Sequence, residues 1–249
     1  DKMLRPGMAY SYRVTRLEAD QEVVLAQTHT ATFGQQAAAD TPLSRQLTPT
    51  ATVAPAPTAL PPDALLLGLL SDNSFTDEFN TLHIAGEVRN DSNLDAGQTD
   101  IAVTFYDAAG TAIGTANGET ILDVIPPGEI SPFLLTLSRP NGMVSYSLRA
   151  VARPAKPDLN AQLSVVEVKR YEDDTGFFHI RGVVKNNGSL VARRAKVVAT
   201  IYGRGGAVIN VGFAYVNPPI LAPGEQGRYE VIFTYFPKYV SQKVIPFEE

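Results

Sequence analysis

The segment LHIAGEVRN, residues 82–90, decides the fold. Up to position 89 its residues fall into two alternating sets: Leu82, Ile84, Gly86 and Val88 in one, His83, Ala85, Glu87 and Arg89 in the other. A period of two is typical of a β-strand with one face in a core and one in solvent. The pattern therefore predicts a half-buried strand, with the first set pointing inward and the second outward.

The same segment occurs a second time, 96 residues later. Without a gap, Leu82–Glu129 aligns on Phe178–Glu225, and 14 of the 48 positions are identical, including His83/His179, Asn90/Asn186 and Tyr106/Tyr202. Chance would give about three identities at ordinary residue frequencies. We infer two copies of one domain, repeat 1 at residues 63–153 and repeat 2 at residues 159–249. Arg153–Pro157 is the predicted short, stiff joint between them.

Each copy is predicted to be a β-sandwich. Ile101, Val103 and Phe105 form a second alternating strand, and turns are expected at 107–110, 126–128 and 222–224. No segment of helical length has a 3.6-residue period. Short strands with turns every 8–12 residues indicate tandem immunoglobulin-like sandwiches in an all-β chain.

Several motifs resemble the FxLYD family of secreted bacterial β-sandwich domains. In repeat 1 they are GEVRN at 86–90, VTFYD at 103–107 and PGE at 127–129; repeat 2 has GVVKN at 182–186, Tyr202, Gly206 and PGE at 223–225. Repeat 2 departs from the name-giving motif with Ala199, Ile201 and Gly203, and repeat 1 has Val103 where the family prefers Phe. The resemblance implies extracytoplasmic immunoglobulin-like modules, and it brings no catalytic residues.

Residues 1–34 resemble the C-terminal strands of a fibronectin type III domain. LRPGMAYSYRV at 4–14 is similar to the tyrosine-corner region, and Gln21 to Phe33 would be the last strand. We expect a two-stranded hairpin, which is marginally stable alone. Its apolar face is predicted to need covering: Tyr10, Tyr12, Val14, Val23 and Leu25.

A spacer of low complexity separates this hairpin from the repeats. Residues 35–62 contain six Pro, five Thr and seven Ala, with Asp40 and Arg45 as the charged residues. Such a composition favours extended polyproline conformation over a packed core. We expect a Pro/Thr/Ala-rich linker, and its Thr and Pro content also permits O-glycosylation.

The residue types offer little catalytic or metal chemistry. The chain has no Cys, no Trp and three His, so thiolate chemistry is excluded. His83 and His179 occupy predicted outward strand positions without the partner spacing of a metal site. We therefore expect no enzyme, catalytic residue, metal or cofactor. The longest apolar run, Ala64–Leu70, has seven residues, and a membrane-spanning helix needs about 20, so no transmembrane segment is expected.

Charge differs between the two repeats. Repeat 1 has 12 acidic and 4 basic residues, net −8, whereas repeat 2 has 8 and 11, net +3. A basic group is predicted along one edge of repeat 2: Arg181, Lys185, Arg193, Arg194 and Lys196. Without interleaved aromatic residues, nucleic acid is not an expected partner. Head-to-tail docking of acidic on basic repeats is the predicted self-association. The candidate assembly contacts are Tyr10, Tyr12 and Val14 in the hairpin and Arg193, Arg194 and Lys196 in repeat 2.

Taken together, these features favour a non-catalytic structural or adhesive protein at a bacterial cell surface. A fibre, stalk or filament subunit, assembled through sandwich contacts and strand addition, is the first expectation. The alternative is a glycan-binding accessory module of a secreted enzyme, with cell-surface glycans as ligands.

Overall fold

The computed structural model describes the chain at residues 9–18, 21–32, 63–155 and 162–248, and for the first two ranges it describes the backbone. This part is almost entirely antiparallel β-structure without an α-helix, which confirms the predicted all-β sandwich class. Among these residues no helix is long and apolar enough to span a membrane. The chain divides into two compact units. One contains the N-terminal hairpin with Val103–Ala116 and Pro140–Leu148, and the other contains the remainder.

The N-terminal hairpin consists of β1 (Ala9–Glu18) and β2 (Gln21–Thr32), paired antiparallel with two register irregularities. The candidate contacts Tyr10, Tyr12 and Val14 lie on β1, opposite Ala31, Thr28 and Ala26. Their side chains lie outside the described residues, as does the whole of the predicted linker at 35–62.

The remaining strands repeat themselves along the chain. Repeat 1 contains β3 (Leu65–Leu66), β4 (Gly68–Thr76), β5 (Thr81–Arg89), β6 (Asp100–Tyr106), β7 (Ala112–Glu119), β8 (Ile130–Ser138) and β9 (Ser145–Ala152). Repeat 2 contains β10 (Leu163–Glu172), β11 (Phe178–Asn186), β12 (Ala195–Tyr202), β13 (Val208–Tyr215), β14 (Gln226–Phe233) and β15 (Ser241–Glu248). Shifting β4–β9 by 96 residues reproduces β10–β15 to within one residue at every end.

Repeat 2 is a sandwich of two three-stranded sheets. The sheet orders are β10-β11-β14 and β13-β12-β15, the pairing of first, second and fifth strands that immunoglobulin-like domains use. Between the sheets lies a core of alternating residues from four strands: Phe178, Ile180, Val184, Val197, Ala199, Ile201, Ile209, Tyr229, Val231 and Phe233. Inward positions of one sheet therefore bury the inward positions of the other.

Repeat 1 has the equivalent three-stranded sheet β4-β5-β8, and its other sheet has the order β3-β9-β6-β7. Both copies carry a β-bulge at the same place, between Leu69 and Ser71 and between Val165 and Glu167. The bulged strand approaches a glycine closely: a Cβ on Gly182 would collide with the Glu167 carbonyl oxygen, and one on Gly86 would crowd the Ser71 carbonyl oxygen. This close approach explains why both repeats have glycine there.

The turns that the sequence predicted are present. Gly110, Gly128 and Gly224 have positive φ angles of 77°, 79° and 83°, where a side chain would be strained. The Asp107 carboxylate accepts hydrogen bonds from the backbone N–H groups of Ala109 and Thr111, at 2.9 and 2.8 Å. These bonds hold the turn that follows β6.

One expectation about β5 is wrong. Ala85 and Glu87 were predicted to face solvent, but Ala85 is fully buried and Glu87 is 5% exposed. The inward residues Ile84 and Val88 are fully buried as expected. Strand β5 is buried on both faces because its outer face is covered by repeat 2, as described next.

Candidate functional site

A contact surface joins the two repeats, and all its strands belong to the second compact unit. Here the outer face of β4-β5-β8 meets the outer face of β13-β12-β15. Ala85 packs with Val198, Val208 and Val211, which are all buried. Around this centre lie six partly buried apolar residues: Ile121, Leu122, Leu134, Tyr202, Ile245 and Phe247. The interface thus has an apolar centre, as stable protein interfaces do.

Hydrogen bonds surround this apolar centre. The Tyr202 hydroxyl donates to the Glu87 carboxylate at 2.6 Å, and burial together with this bond raises the pKa of Tyr202. The Asn73 side chain donates to the Ile209 carbonyl oxygen at 2.8 Å, and the Val208 N–H donates to the Ser71 hydroxyl oxygen at 3.0 Å. The buried polar groups of both repeats are therefore satisfied across the interface.

We call the outer face of β4-β5-β8 the covered face. Its positions are Ser71, Asn73, Phe75, His83, Ala85, Glu87, Pro132, Leu134 and Thr136. Phe75 extends the contact at one end, where its ring stacks on Tyr235 with centroids 4.0 Å apart. Sequence reasoning missed this interface because alternation along β5 does not distinguish a solvated outer face from a docked one, and Ala85 and Glu87 are compatible with both.

The equivalent face of repeat 2, on β10-β11-β14, has a different character. We call it the charged face; its positions are Glu167, Lys169, Tyr171, His179, Arg181, Val183, Arg228, Glu230 and Ile232. The 96-residue shift places Arg181 where repeat 1 has Ala85, and Glu230 where repeat 1 has Leu134. Arg181, Arg228 and Glu230 are exposed. The outer face of this sheet is therefore docked in repeat 1, whereas in repeat 2 the equivalent face carries long charged side chains.

The carboxylates of the charged face have partners of their own. Glu167 pairs with Lys169 at 2.5 Å, an ion pair that lowers the pKa of Glu167. Glu230 accepts hydrogen bonds from the Tyr171 hydroxyl and from Nδ1 of His179, both at 3.0 Å. Unlike Lys169, the two arginines of this face form no ion pair with these carboxylates. The Arg181 guanidinium lies 4.9 Å from the centre of the Tyr171 ring.

Arg228 completes the charged face opposite Val183. Within the described ranges its guanidinium makes no hydrogen bond or ion pair, although it contributes to the lowered pKa of Glu167. A cleft of about 680 Å³ lies here, with Lys169, Arg181, Arg228 and Tyr215 in its walls. Three cations against two paired carboxylates make this cleft attractive to anionic groups.

The two repeated histidines are structural supports for hairpins rather than solvated positions. His83 Nε2 lies 3.0 Å from the Asp77 carboxylate, and His179 Nε2 lies 3.0 Å from Asp173. An aromatic ring stacks on each, Phe75 at 4.7 Å and Tyr171 at 4.6 Å between centroids. His83 and His179 do lie on the outward face as predicted, but His179 is only 8% exposed.

Both ring nitrogens of His179 contact carboxylates, since Nδ1 also reaches Glu230. The Asp173 hydrogen bond, reinforced by Glu230, raises the pKa of His179 against the opposing effect of burial. Hydrogen bonds from the Phe177 N–H, Thr175 and His179 hold the pKa of Asp173 well below its usual range. No group of three metal-ligating side chains in the described part of the chain is arranged to hold a metal ion.

The basic candidates of repeat 2 lie on separate surfaces. Arg193 is exposed, and its backbone N–H donates to the Glu248 carboxylate at 2.7 Å. Lys196 is 7% exposed, with its ammonium group 4.7 Å from the centre of the Tyr215 ring. The Arg194 guanidinium lies 3.4 Å from the Tyr215 hydroxyl. Lys196 is therefore not the accessible contact that the sequence predicted.

Arg181 and Lys185 are on β11, in the sheet opposite to the one that contains Lys196. The predicted single basic edge is thus two surfaces, which meet at Tyr215. The residues that sequence reasoning missed are Lys169, Arg228 and Glu230. These residues occupy alternating outward positions of β10 and β14. That alternation could have identified them if the sheet order β10-β11-β14 had been known.

Comparisons with known proteins do not assign a family. No family model matches the chain, and no curated protein matches it. Among solved structures, red sea bream transglutaminase is similar over 73% of this chain and 27% of its own, with 12% identity and a TM-score of 0.24. An exo-chitosanase of Amycolatopsis orientalis is similar over 71% and 26%, with 12% identity and a TM-score of 0.23. The chain thus spans about a quarter of each of these proteins.

Proposed function

We propose that this chain is a non-catalytic structural protein of a bacterial surface fibre, stalk or filament, built from extracellular FxLYD-like sandwiches. The observation that supports this most is the interface between the repeats. An apolar centre around Ala85 with hydrogen bonds at its edge joins neighbouring sandwiches firmly, as a load-carrying array requires. Buried side chains of both repeats thus hold the two domains together.

Strand addition is the second element of the proposal. Among the described residues, β1 and β2 pair with each other alone. A two-stranded hairpin has unpaired edges that readily accept a strand from another sheet. We propose that the hairpin completes a sheet in a neighbouring subunit, with Tyr10, Tyr12 and Val14 as contacts.

The test is the association state of the full chain. We expect sedimentation velocity to detect concentration-dependent oligomers, and electron microscopy to show filaments. Deletion of residues 1–34 should leave the repeats folded, with an unchanged circular dichroism spectrum, while assembly is lost. A full chain that remains monomeric at every accessible concentration would contradict the proposal.

A glycan-binding module is the second candidate, because two aromatic rings of β13 are exposed. Phe213 is 52% and Tyr215 51% exposed, and the Lys196 ammonium lies between them. Repeat 1 has Asn117 and Glu119 at these positions, so the aromatic pair belongs to repeat 2 alone. Sugars stack on such rings, and the exposed Arg194 guanidinium beside the Tyr215 hydroxyl suits an acidic polysaccharide.

Affinity electrophoresis in gels containing alginate tests this candidate. Tyr215→Ala and Phe213→Ala should each reduce the retardation if the pair binds sugar. Phe79→Ala is the matched control, because Phe79 is 82% exposed on repeat 1. Equal retardation of all three variants and the wild type would exclude this surface as a glycan site.

A further inference from the structure

We infer that the charged face of repeat 2 is the docking site for repeat 1 of a second copy of this chain. The occupant is the outer face of β6, β7 and β9 of that copy. This inference rests on the proposed assembly function and names the surface and the partner for it.

The first argument is the contact that the chain already makes. The covered face of repeat 1 receives the β13-β12-β15 sheet of repeat 2. The charged face is its 96-residue equivalent, and β6, β7 and β9 are the equivalents of β12, β13 and β15. Repeating the same contact between chains places the second copy's β6-β7-β9 sheet on the charged face. No new type of interface is needed.

The second argument is the size of the side chains. The centre of the existing interface combines the small Ala85 with Val198, Val208 and Val211. In the inferred contact the large Arg181 replaces Ala85. The sequence has smaller residues at the three equivalent positions, Ala102, Ala112 and Thr115. The loss of volume on one side thus accompanies a gain on the other, as close packing across an interface requires.

The third argument is charge. Leu134 and Ile245 pack against the same buried cluster in the existing interface. Their equivalents are Glu230 and Arg149, a pair of opposite charges. β6 and β7 also carry Asp100 and Glu119, where repeat 2 has Lys196 and Tyr215. Acidic groups would thus approach a face that bears Lys169, Arg181 and Arg228, in line with the net charges of −8 and +3 on the two repeats.

Such a contact is heterologous, because the charged face of one chain meets a different surface, the β6-β7-β9 face, of the next. Repetition of a heterologous contact produces an open filament unless its rotation closes a ring. The cations of the docking surface are then Arg181 and Arg228, in place of Arg193, Arg194 and Lys196, which the sequence predicted.

The acceptor side is tested with the double variant Arg181→Glu/Arg228→Glu, measured by sedimentation velocity on the full chain. We expect self-association to weaken at least about ten-fold at 0.15 M salt, since like charges would then face Asp100 and Glu119. Arg193→Glu/Arg204→Glu is the matched control, with the same change in net charge on exposed residues outside the charged face. It should associate like the wild type.

The donor side is tested with Ala102→Arg, whose thermal unfolding is measured first to establish that it is folded. If the inference holds, this variant self-associates at least about ten-fold more weakly than the wild type, as the acceptor variant does. Their equimolar mixture associates more strongly than either variant alone, because one intact donor face meets one intact acceptor face. If the wild type forms filaments and the acceptor variant associates equally well, the inference is wrong, while the proposed assembly function is still supported.

The remaining outcomes are also decisive. A wild-type chain that never associates contradicts the proposed function itself. A monomeric wild type that binds alginate through Arg181 and Arg228 overturns the second copy as occupant in favour of an acidic glycan.

Discussion

Ala85 and Arg181 occupy the same position in two copies of one domain, yet one is fully buried and the other exposed. The inward neighbours of both are nearly the same, with Ile84 and Val88 in repeat 1 and Ile180 and Val184 in repeat 2, all fully buried. Inward positions of a strand therefore determine the sandwich, whereas outward positions determine what covers it. After the duplication the inward residues stayed nearly the same, whereas the outward residues changed.

The largest expected effect comes from giving repeat 1 the side chain of repeat 2. Ala85→Arg places a charge at the buried centre of the interface, among Val198, Val208 and Val211. A buried charge without a partner is strongly destabilising. We expect the free energy of unfolding to fall by about 3 kcal/mol or more. Urea denaturation followed by circular dichroism measures this change.

The reverse exchange is the matched control. Arg181→Ala removes an exposed side chain, and we expect a change within about 0.5 kcal/mol, as for most surface substitutions. Similar losses in Ala85→Arg and Arg181→Ala would mean that the two faces do not differ in burial as the comparison states.

A smaller effect is expected from the hydrogen bond across the interface. Tyr202→Phe leaves the buried Glu87 carboxylate without the donor that lies at 2.6 Å. Hydrogen bonds to charged groups contribute about 1.5–3 kcal/mol, so we expect a loss in that range by denaturation.

Tyr106→Phe is the control because Tyr106 is the equivalent residue of repeat 1, with its hydroxyl 3.2 Å from the Ser147 hydroxyl. A neutral bond of this kind contributes about 0.5–1.5 kcal/mol. In the background of Glu87→Gln the Tyr202→Phe loss should shrink, since the two residues interact directly. A loss that is unchanged by Glu87→Gln would contradict the assignment of this bond to the interface.

The sequence predicted the sandwich because alternation reports directly on burial in a core. Leu82, Ile84 and Val88 were placed correctly by their period of two, and Gly110 and Gly128 by the chemistry of turns. Alternation carries no information on whether the second face of a strand meets water or another domain. Ala85 and Glu87 suit both environments, which is why the interface between the repeats was not predicted.

The charged residues show a different limit. Lys196 was interpreted as an accessible cation, but the rings of Phe213 and Tyr215, two positions apart on β13, cover it. The contact depends on the register Lys196↔Tyr215 between β12 and β13. Register is a tertiary property, and net charge along the chain does not contain it. The same holds for Arg181 and Arg228, which are neighbours only because β11 pairs with β14.

The smallest expected effect concerns the histidines, where the repeats differ by one carboxylate. His83 lies against Asp77, with Thr136 at 3.4 Å, whereas His179 lies against Asp173 and Glu230. Repeat 1 has Leu134 at the position of Glu230, so the second carboxylate is absent from that position. We expect a nuclear magnetic resonance titration to give His179 a pKa above 6.5, the ordinary value for histidine. His179→Asn assigns the resonance.

A raised pKa in the folded state fixes the direction of the pH dependence. His179 contributes stability that is fully present below the unfolded pKa of about 6.5 and is lost as the pH rises through its folded pKa. Asp173→Asn removes the principal cause of the raised pKa. We therefore expect this variant to lower the pKa of His179 and to flatten the decline in the free energy of unfolding through that pH window. Glu230→Gln should act in the same direction with a smaller effect, because the hydrogen bond to Glu230 raises the pKa of His179 less than the one to Asp173 does. A His179 pKa that is unmoved by both variants would mean that burial alone governs this ring, and that the added carboxylate of repeat 2 serves the charged face without tuning the histidine beside it.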